Sequence, residues 1–255
     1  MRARERSPVQ TNIDRVYKDP FIPTYFGKNQ KGMQAENELE EVERVNAKHA
    51  WKEWVGVCLK YASIFKDLGL HKQLANRVLE SVNWHTIVCT ATEYDNYFAL
   101  RDNPQAAPEI RDSAHAAQEL YRKNEPRPII DGGMHLPYVA GGQYDLDVLS
   151  KKLSMRQLCM VSIGRCAAVS YMNQENIVDP DADMVRAESR LLPNGHMSPF
   201  EHVAEALSEK RWREVGMAQA QEWIEHRVPV GNIWGWLSYR KTIPGEHNFK
   251  LITKE

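Results

Sequence analysis

The feature that most constrains this chain is an apolar register running from Ala35 to Leu68. Leu39, Val42, Val45, Trp51, Trp54, Val55, Cys58, Tyr61, Phe65 and Leu68 recur at helical spacing. That pattern predicts one long amphipathic helix with a broad buried face, ended by Gly69. A shorter helix is expected over residues 71–82, where Leu74 and Val78 lie one turn apart and Arg77 is their neighbour. Thr92 reads as the N-cap of a third helix, with Asp95 three positions on and Arg101 at its end. Pro104 and Pro108 break the chain before a helix striped with Ile110, Ala114, Ala117 and Tyr121. Arg77 and Arg101 are thus expected beside buried faces, and charge placed there must be neutralised or used. An anion site is one reading; a solvated or carbonyl-capping arginine is the other.

The rest of the chain is punctuated differently. Residues 1–34 hold an arginine cluster and a run of prolines and glycines, and predict an irregular arm. Within it, Gly27 to Gln34 is polar and glycine-bearing, suited either to solvent or to wrapping a ligand. The Pro- and Gly-rich stretch from Glu125 to Leu149 is the best internal boundary, giving a first half over 1–130 and a second over 131–255 packed into one composite domain. Leu158 to Ile163 is a short apolar run that periodicity alone assigns neither to strand nor to helix. Asp181 to Leu192 fits a helix. In Gly195-His-Met-Ser-Pro-Phe-Glu-His202, Ser198 and Glu201 have the spacing of a capping box, with Pro199 at the first helical position. Such a start aims free N–H groups outward and suits a phosphate or polar ring edge beside His196; a purely structural cap is the alternative. The tail from Trp223 to Glu246 reads as a last packed helix with Arg240 and Lys241 at its C-terminal end.

Composition narrows the function classes. The formal net charge of 255 residues is -1, so no field favours nucleic acid or an anionic membrane over a small metabolite. No apolar run approaches the roughly 18 residues that span a bilayer, and the first residues lack the apolar stretch of a signal peptide. Cys58, Cys89, Cys159 and Cys166 are widely spaced in apolar company, which predicts buried thiols in a reducing, cytoplasmic setting. Neither the cysteines nor His196, Glu201 and His202 have metal-ligand spacing, and no metal is expected.

Several segments together resemble the flavin-dependent thymidylate synthase family. Asn76-Arg-Val-Leu79, Asn96-Tyr-Phe-Ala-Leu-Arg101 and Gln105-Ala-Ala-Pro-Glu-Ile110 are similar to its arginine-bearing helix, its N-F-x-x-L-R helix and its A-Q-x-E-I turn. Arg165-Cys-Ala-Ala-Val-Ser-Tyr171 resembles its A-R-V-S-Y segment, and His196-Met-Ser-Pro-Phe-Glu-His202 its H-x-S/T-P-F-E-H segment. The order is rearranged, as in a branch where Phe26 to Gln34 and Gly235-Trp-Leu-Ser-Tyr-Arg-Lys241 are also familiar. The signature R-H-R-x-x-S-x-N-E-x-S-x-R-Y is absent; in that branch its equivalent lies upstream of this N-terminus, with Arg2 as the remnant of its last arginine.

The resemblance implies an α+β fold, helix-rich with a small mixed or antiparallel sheet. It implies reductive methylation of deoxyuridine monophosphate, with FAD, NADPH and methylenetetrahydrofolate, in a homotetramer. Arg77, Arg101 and Arg2 would hold the nucleotide, and Arg101 would also stabilise charge developing on the base. Ser198, His196, Asn96, Thr92, Ser170 and Gln105 would contact the flavin cofactor, although the family commonly has arginine where Thr92 stands and histidine where Gln105 stands. Three other readings stand beside it: a sister enzyme methylating or hydroxymethylating another pyrimidine deoxynucleotide, a non-catalytic remnant, and the larger half of a split enzyme completed by a short upstream polypeptide.

Overall fold

The structure, a computed structural model, describes residues 7–31, 35–139, 146–169, 179–208, 210, 233 and 235–246. Arg2, Ser170, Gly32 to Gln34 and the expected helix around Trp223 lie outside them. The fold is α+β, helix-rich with one small antiparallel sheet. By contacts the chain divides into one unit of residues 1–85 and 95–124 and a second of 86–94 and 125–255. That division differs in course from a cut at residue 130, because the short Thr86–Tyr94 segment belongs with the later half.

In the first unit, α1 (Pro8–Lys18) is capped by the Ser7 side chain, which accepts from the Gln10 N–H. It packs on α2 (Glu41–Asp67) and on a 3-10 turn, Arg77–Val82. Val16, Val55, Cys58, Ala62, Leu79 and Val82 form the core between them. The long helix is as expected in kind but starts six residues later, and its broad face is not buried. Only Val55, Cys58 and Ala62 are enclosed, while Val42, Val45, Trp54, Tyr61 and Leu68 are exposed. Gly69 does end it, at a φ of 74° that favours glycine.

The 71–82 segment is a second correction. It is not one helix but α3 (Lys72–Ala75) followed by the tighter 3-10 turn. Going from 3.6 to three residues per turn rotates the buried face, so Leu79 and Val82 point inward while Leu74 is 54% exposed. In the rest of this unit, α4 (Asp95–Arg101) packs on α5 (Pro108–Lys123) through Phe98 and Tyr121, whose ring centroids are 5.6 Å apart. Of the expected α5 stripe, Ala114 alone is buried; Ile110 and Tyr121 are exposed. The close approach that Gly27 permits is to its own chain, since a Cβ there would overlap the Ala35 side chain.

The second unit is built around α7 (Met155–Ala168), a helix and not a strand. Ser154 and Gln157 close a full capping box at its start. Ten of its fourteen residues are buried, Arg165 among them. α8 (Pro180–Val185) runs on as a π-helical turn, Arg186–Leu191, and lies against α7 at Gly164, where a Cβ would overlap the Asp183 backbone. The Arg165 Nε donates to Asp183 Oδ2 at 2.9 Å, and Arg186 Nη1 donates to Asp183 Oδ1 at 2.6 Å. The buried charge is thereby paired on both carboxylate oxygens, as a charge in a core must be.

α6 (Leu146–Ser150) adds to this core, and Phe200 and Val203 fill it from the far side. The sheet has the order β1-β2-β3, with β1 Met134–His135, β2 Ala204–Ala206 and β3 Trp236–Ser238. His135 pairs with Ala204, Ala204 with Ser238, and Ala206 with Trp236. Among the described residues no helix is long and apolar enough to cross a membrane.

Candidate functional site

Side chains directly opposite in an antiparallel sheet stand on the same face, and so do residues two apart along one strand. The register therefore puts His135, Ala204, Ala206 and Trp236 on one face. The two central positions are alanines, small enough for the larger rings to close over them. The His135 and Trp236 rings meet edge to face, with centroids 6.2 Å apart and planes at 71°. His135, Ala204 and Trp236 line part of a cavity of about 380 Å³, within the range of small-molecule sites.

The rim opposite the sheet is Thr90-Ala91-Thr92-Glu93, and Ile233 adds apolar wall. A tyrosine clamp fixes that rim. The Tyr94 hydroxyl accepts from the Ala91 N–H at 3.1 Å and donates to the Cys89 carbonyl at 3.2 Å. Thr90 Oγ1 lies 3.1 Å from His202 Nδ1, tying the rim to the residue that leads into β2. Every one of these residues belongs to the second unit.

His135 is held by α7 from behind. Ser162 Oγ donates to the Pro137 carbonyl at 2.6 Å, and Arg165 Nη1 donates to the Tyr138 carbonyl at 2.8 Å. Tyr138 takes a φ of 60° in that turn, a left-handed conformation disfavoured for a bulky residue. The buried arginine thus holds the loop that follows His135. Burial, then the charges of His202 and Arg127, hold the His135 pKa below its ordinary value. Burial lowers His202 too, against the pull of Glu201. Both rings are accordingly neutral near pH 7, each offering one donor and one acceptor nitrogen.

The expected site residues are divided. Thr92 lines the cavity. His196 and Ser198 belong to the second unit but are exposed and are not among the lining residues. Arg77, Asn96, Arg101 and Gln105 belong to the first unit, and all four are exposed. Arg77 and Arg101 are therefore not charges close to a core: the 3-10 turn and the short α4 turn them outward, and water solvates them. Among the described residues the buried arginine is Arg165, and it is paired.

Further expectations need correction. Thr92 is not a helix cap, because α4 begins at Asp95 and Thr92 lies in the clamped rim. The Ser198–Glu201 capping box does not form; the segment is a four-residue 3-10 turn without a side-chain cap. Glu201 is engaged by Arg240 Nη1 instead, and Arg240 Nε and Lys241 Nζ reach the buried Glu246 at 2.8 and 2.6 Å. Arg240 and Lys241 therefore sit on a 3-10 turn after β3, paired, and not at a long helix's end. A short turn without its cap offers no helix-terminal anion site.

Cys89 is exposed, while the other three cysteines are buried as expected. Burial pushes the Cys159 thiol up to about 11 and Cys166 up to about 12. Neither is a nucleophile near neutrality. Among the described residues no cluster of three His, Cys, Asp or Glu is placed to hold a metal ion.

His135, Thr90, Glu93 and Trp236 were not foreseen as site residues. β1 has two residues and β3 three, too few for alternation to register. No family model, characterised protein or solved structure matches the chain.

Proposed function

We propose that the chain carries part of a flavin-dependent pyrimidine deoxynucleotide methylation site of the thymidylate synthase kind. One observation carries the reading. Three separately placed segments border the same cavity: the Thr90–Glu93 rim that precedes the Asn96 to Arg101 motif, the strand that follows His196 to His202, and the Trp236 strand of Gly235 to Lys241. Trp236 lies within a segment on which the family resemblance rests, and the other two segments adjoin such segments in the chain. The cavity has the size for one ring system of a dinucleotide cofactor, and Thr92, a residue the resemblance gives to the flavin cofactor, contributes to it.

The flavin, when bound, supplies the hydride that completes the methyl group. The protein supplies orientation and charge. Arg77 and Arg101 are exposed, and among the described residues neither is committed to an ion pair, so both guanidinium forks are open to the oxygens of an anionic nucleotide. With the buried thiols inert, covalent attack by Cys159 or Cys166 is no part of the scheme.

The test is spectroscopic. The full chain is purified and titrated with FAD in the presence and absence of deoxyuridine monophosphate. Flavin binding that tightens with the nucleotide is expected; no flavin uptake in either setting overturns the reading. Arg101→Ala should weaken nucleotide binding at least tenfold, the worth of a hydrogen bond to a charged group at roughly 1.5–3 kcal/mol, with the far-UV spectrum unchanged. An unaltered nucleotide affinity removes Arg101 from its role.

A further inference from the structure

The exposed apolar residues of α2 form a register of their own. Ala50, Trp54, Val57, Tyr61, Ile64 and Leu68 follow one another at steps of four, three, four, three and four. That is the a/d spacing by which two helices share one seam. All six are exposed, Leu68 at the helix end by 76%. The residues that α2 buries, Val55, Cys58 and Ala62, each lie one position after Trp54, Val57 and Tyr61. One residue turns a helix by about 100°, so α2 carries two apolar seams side by side. The first unit's core takes up one of them.

An apolar stripe of this length is more than the single apolar residues scattered over an ordinary surface, and it marks a contact. Part of it is ordered in advance. Trp54 Nε1 donates to Ser81 Oγ at 3.2 Å, so the indole has less side-chain freedom left to lose on association. The stripe also grades in size, from Ala50 near one end to Tyr61, Ile64 and Leu68 near the other. In an antiparallel pair a-type residues meet d-type residues, which sets Tyr61 against the partner's Ala50 and Trp54 against the partner's Val57. Each layer then joins a large side chain to a smaller one, the packing that fills a seam.

Charge agrees with that register. Glu53 and Lys60 flank the stripe and are exposed. The antiparallel register brings Glu53 beside the partner's Lys60, and two-fold symmetry repeats the pair with the roles exchanged. Within its own chain Glu53 Oε1 lies 3.5 Å from His49 Nε2, with both side chains more than 70% exposed, a contact that water readily replaces. A parallel pair would stack Trp54 on Trp54 and leave Glu53 without a cation.

We propose that α2 joins two copies of this chain as an antiparallel helix pair, its seam running from Ala50 to Leu68 and flanked by two Glu53–Lys60 ion pairs. The proposal rests on the α2 register and not on the methylation reading. A chain that associates this way without taking up flavin, or takes up flavin as a monomer, tells the two apart.

Sedimentation equilibrium of the full chain at micromolar concentrations tests it. The wild type should associate, and Val57→Glu, at an exposed position in the middle of the seam, should abolish that association with the far-UV spectrum unchanged. Glu53→Lys and Lys60→Glu each set like charges together at both symmetry-related places, and each should weaken association at least about tenfold. The double variant Glu53→Lys with Lys60→Glu restores opposite signs and should recover association close to the wild-type value. A wild-type chain that stays monomeric, association unmoved by Val57→Glu, or a double variant no stronger than the single ones overturns the proposal.

Discussion

α2 and α7 invert the usual relation between length and burial. α2 has 27 residues and encloses three of them; α7 has 14 and encloses ten. The difference lies in what surrounds each helix. α2 is touched by α1, α3 and the 3-10 turn along limited stretches, and much of its apolar register remains in water. α7 is enclosed by α6, α8, the π-helical turn, the Phe200 turn and the Pro137–Tyr138 loop. A helix with apolar residues on every side needs cover on every side. The same enclosure forces each polar group on α7 to find a partner, which is how Ser162 and Arg165 come to hold the loop beside His135. In this molecule the shorter helix positions the candidate site.

The sharpest way to break the comparison is to remove its buried charge. Arg165→Ala leaves Asp183 with one of its two cationic partners and removes the Arg165 hydrogen bond to the Tyr138 carbonyl. Removing one member of a buried pair costs about 3–5 kcal/mol, so the denaturant midpoint of the full chain should fall steeply. The same truncation on α2, Lys60→Ala at an exposed position, should change stability by no more than about 0.5 kcal/mol. Comparable losses from the two variants would mean that α7 is no more enclosed than α2.

How much of this was legible in the sequence follows the same contrast. Helix existence was readable where apolar spacing is long, and α2 came out as a helix at nearly its full extent. Which of its residues are buried was not, because periodicity marks a face and does not supply what covers it. Leu158 to Ile163 was ambiguous for the opposite reason: an unbroken apolar run has no face to reveal. The capping signature was sound chemistry applied at the wrong place. Ser154 and Gln157 form the box, while at Ser198 the Arg240 guanidinium takes the Glu201 carboxylate that the box would need. That competition involves residues 39 positions apart, which no local pattern contains. The cavity was illegible for a similar reason, since its shape depends on which residues the short strands set opposite each other.

Acid should act through the site more than through the long helix. The folded pKa of His135 lies below the ordinary 6.5, with burial as the leading cause. In the window below about pH 6.5 the unfolded chain therefore binds more protons than the folded one, and stability rises with pH there. The contribution is complete above the unfolded value and is lost as the pH falls through the folded one. Each such histidine gives a slope of up to about 1.4 kcal/mol per pH unit. His135→Gln should flatten the stability profile on the acid side of pH 6.5. A wild-type profile flat from pH 7 to pH 5 would show that the cavity does not exclude water from His135.

The smallest expected effect is the most informative about Arg77. The helical register had placed it beside a buried stripe; the 3-10 turn leaves it in water. A solvated arginine contributes little to folding, so Arg77→Ala should shift stability by no more than about 0.5 kcal/mol. The neighbouring Asn76 Oδ1 is buried with no hydrogen-bond partner among the described residues, and Asn76→Ala removes that acceptor along with a few packing contacts. If Arg77→Ala instead costs as much as Arg165→Ala, Arg77 is a structural charge. If it is neutral to stability and weakens binding of deoxyuridine monophosphate, then folding and ligand recognition are divided between the two arginines, with the buried one shaping the molecule and the exposed one meeting the anion.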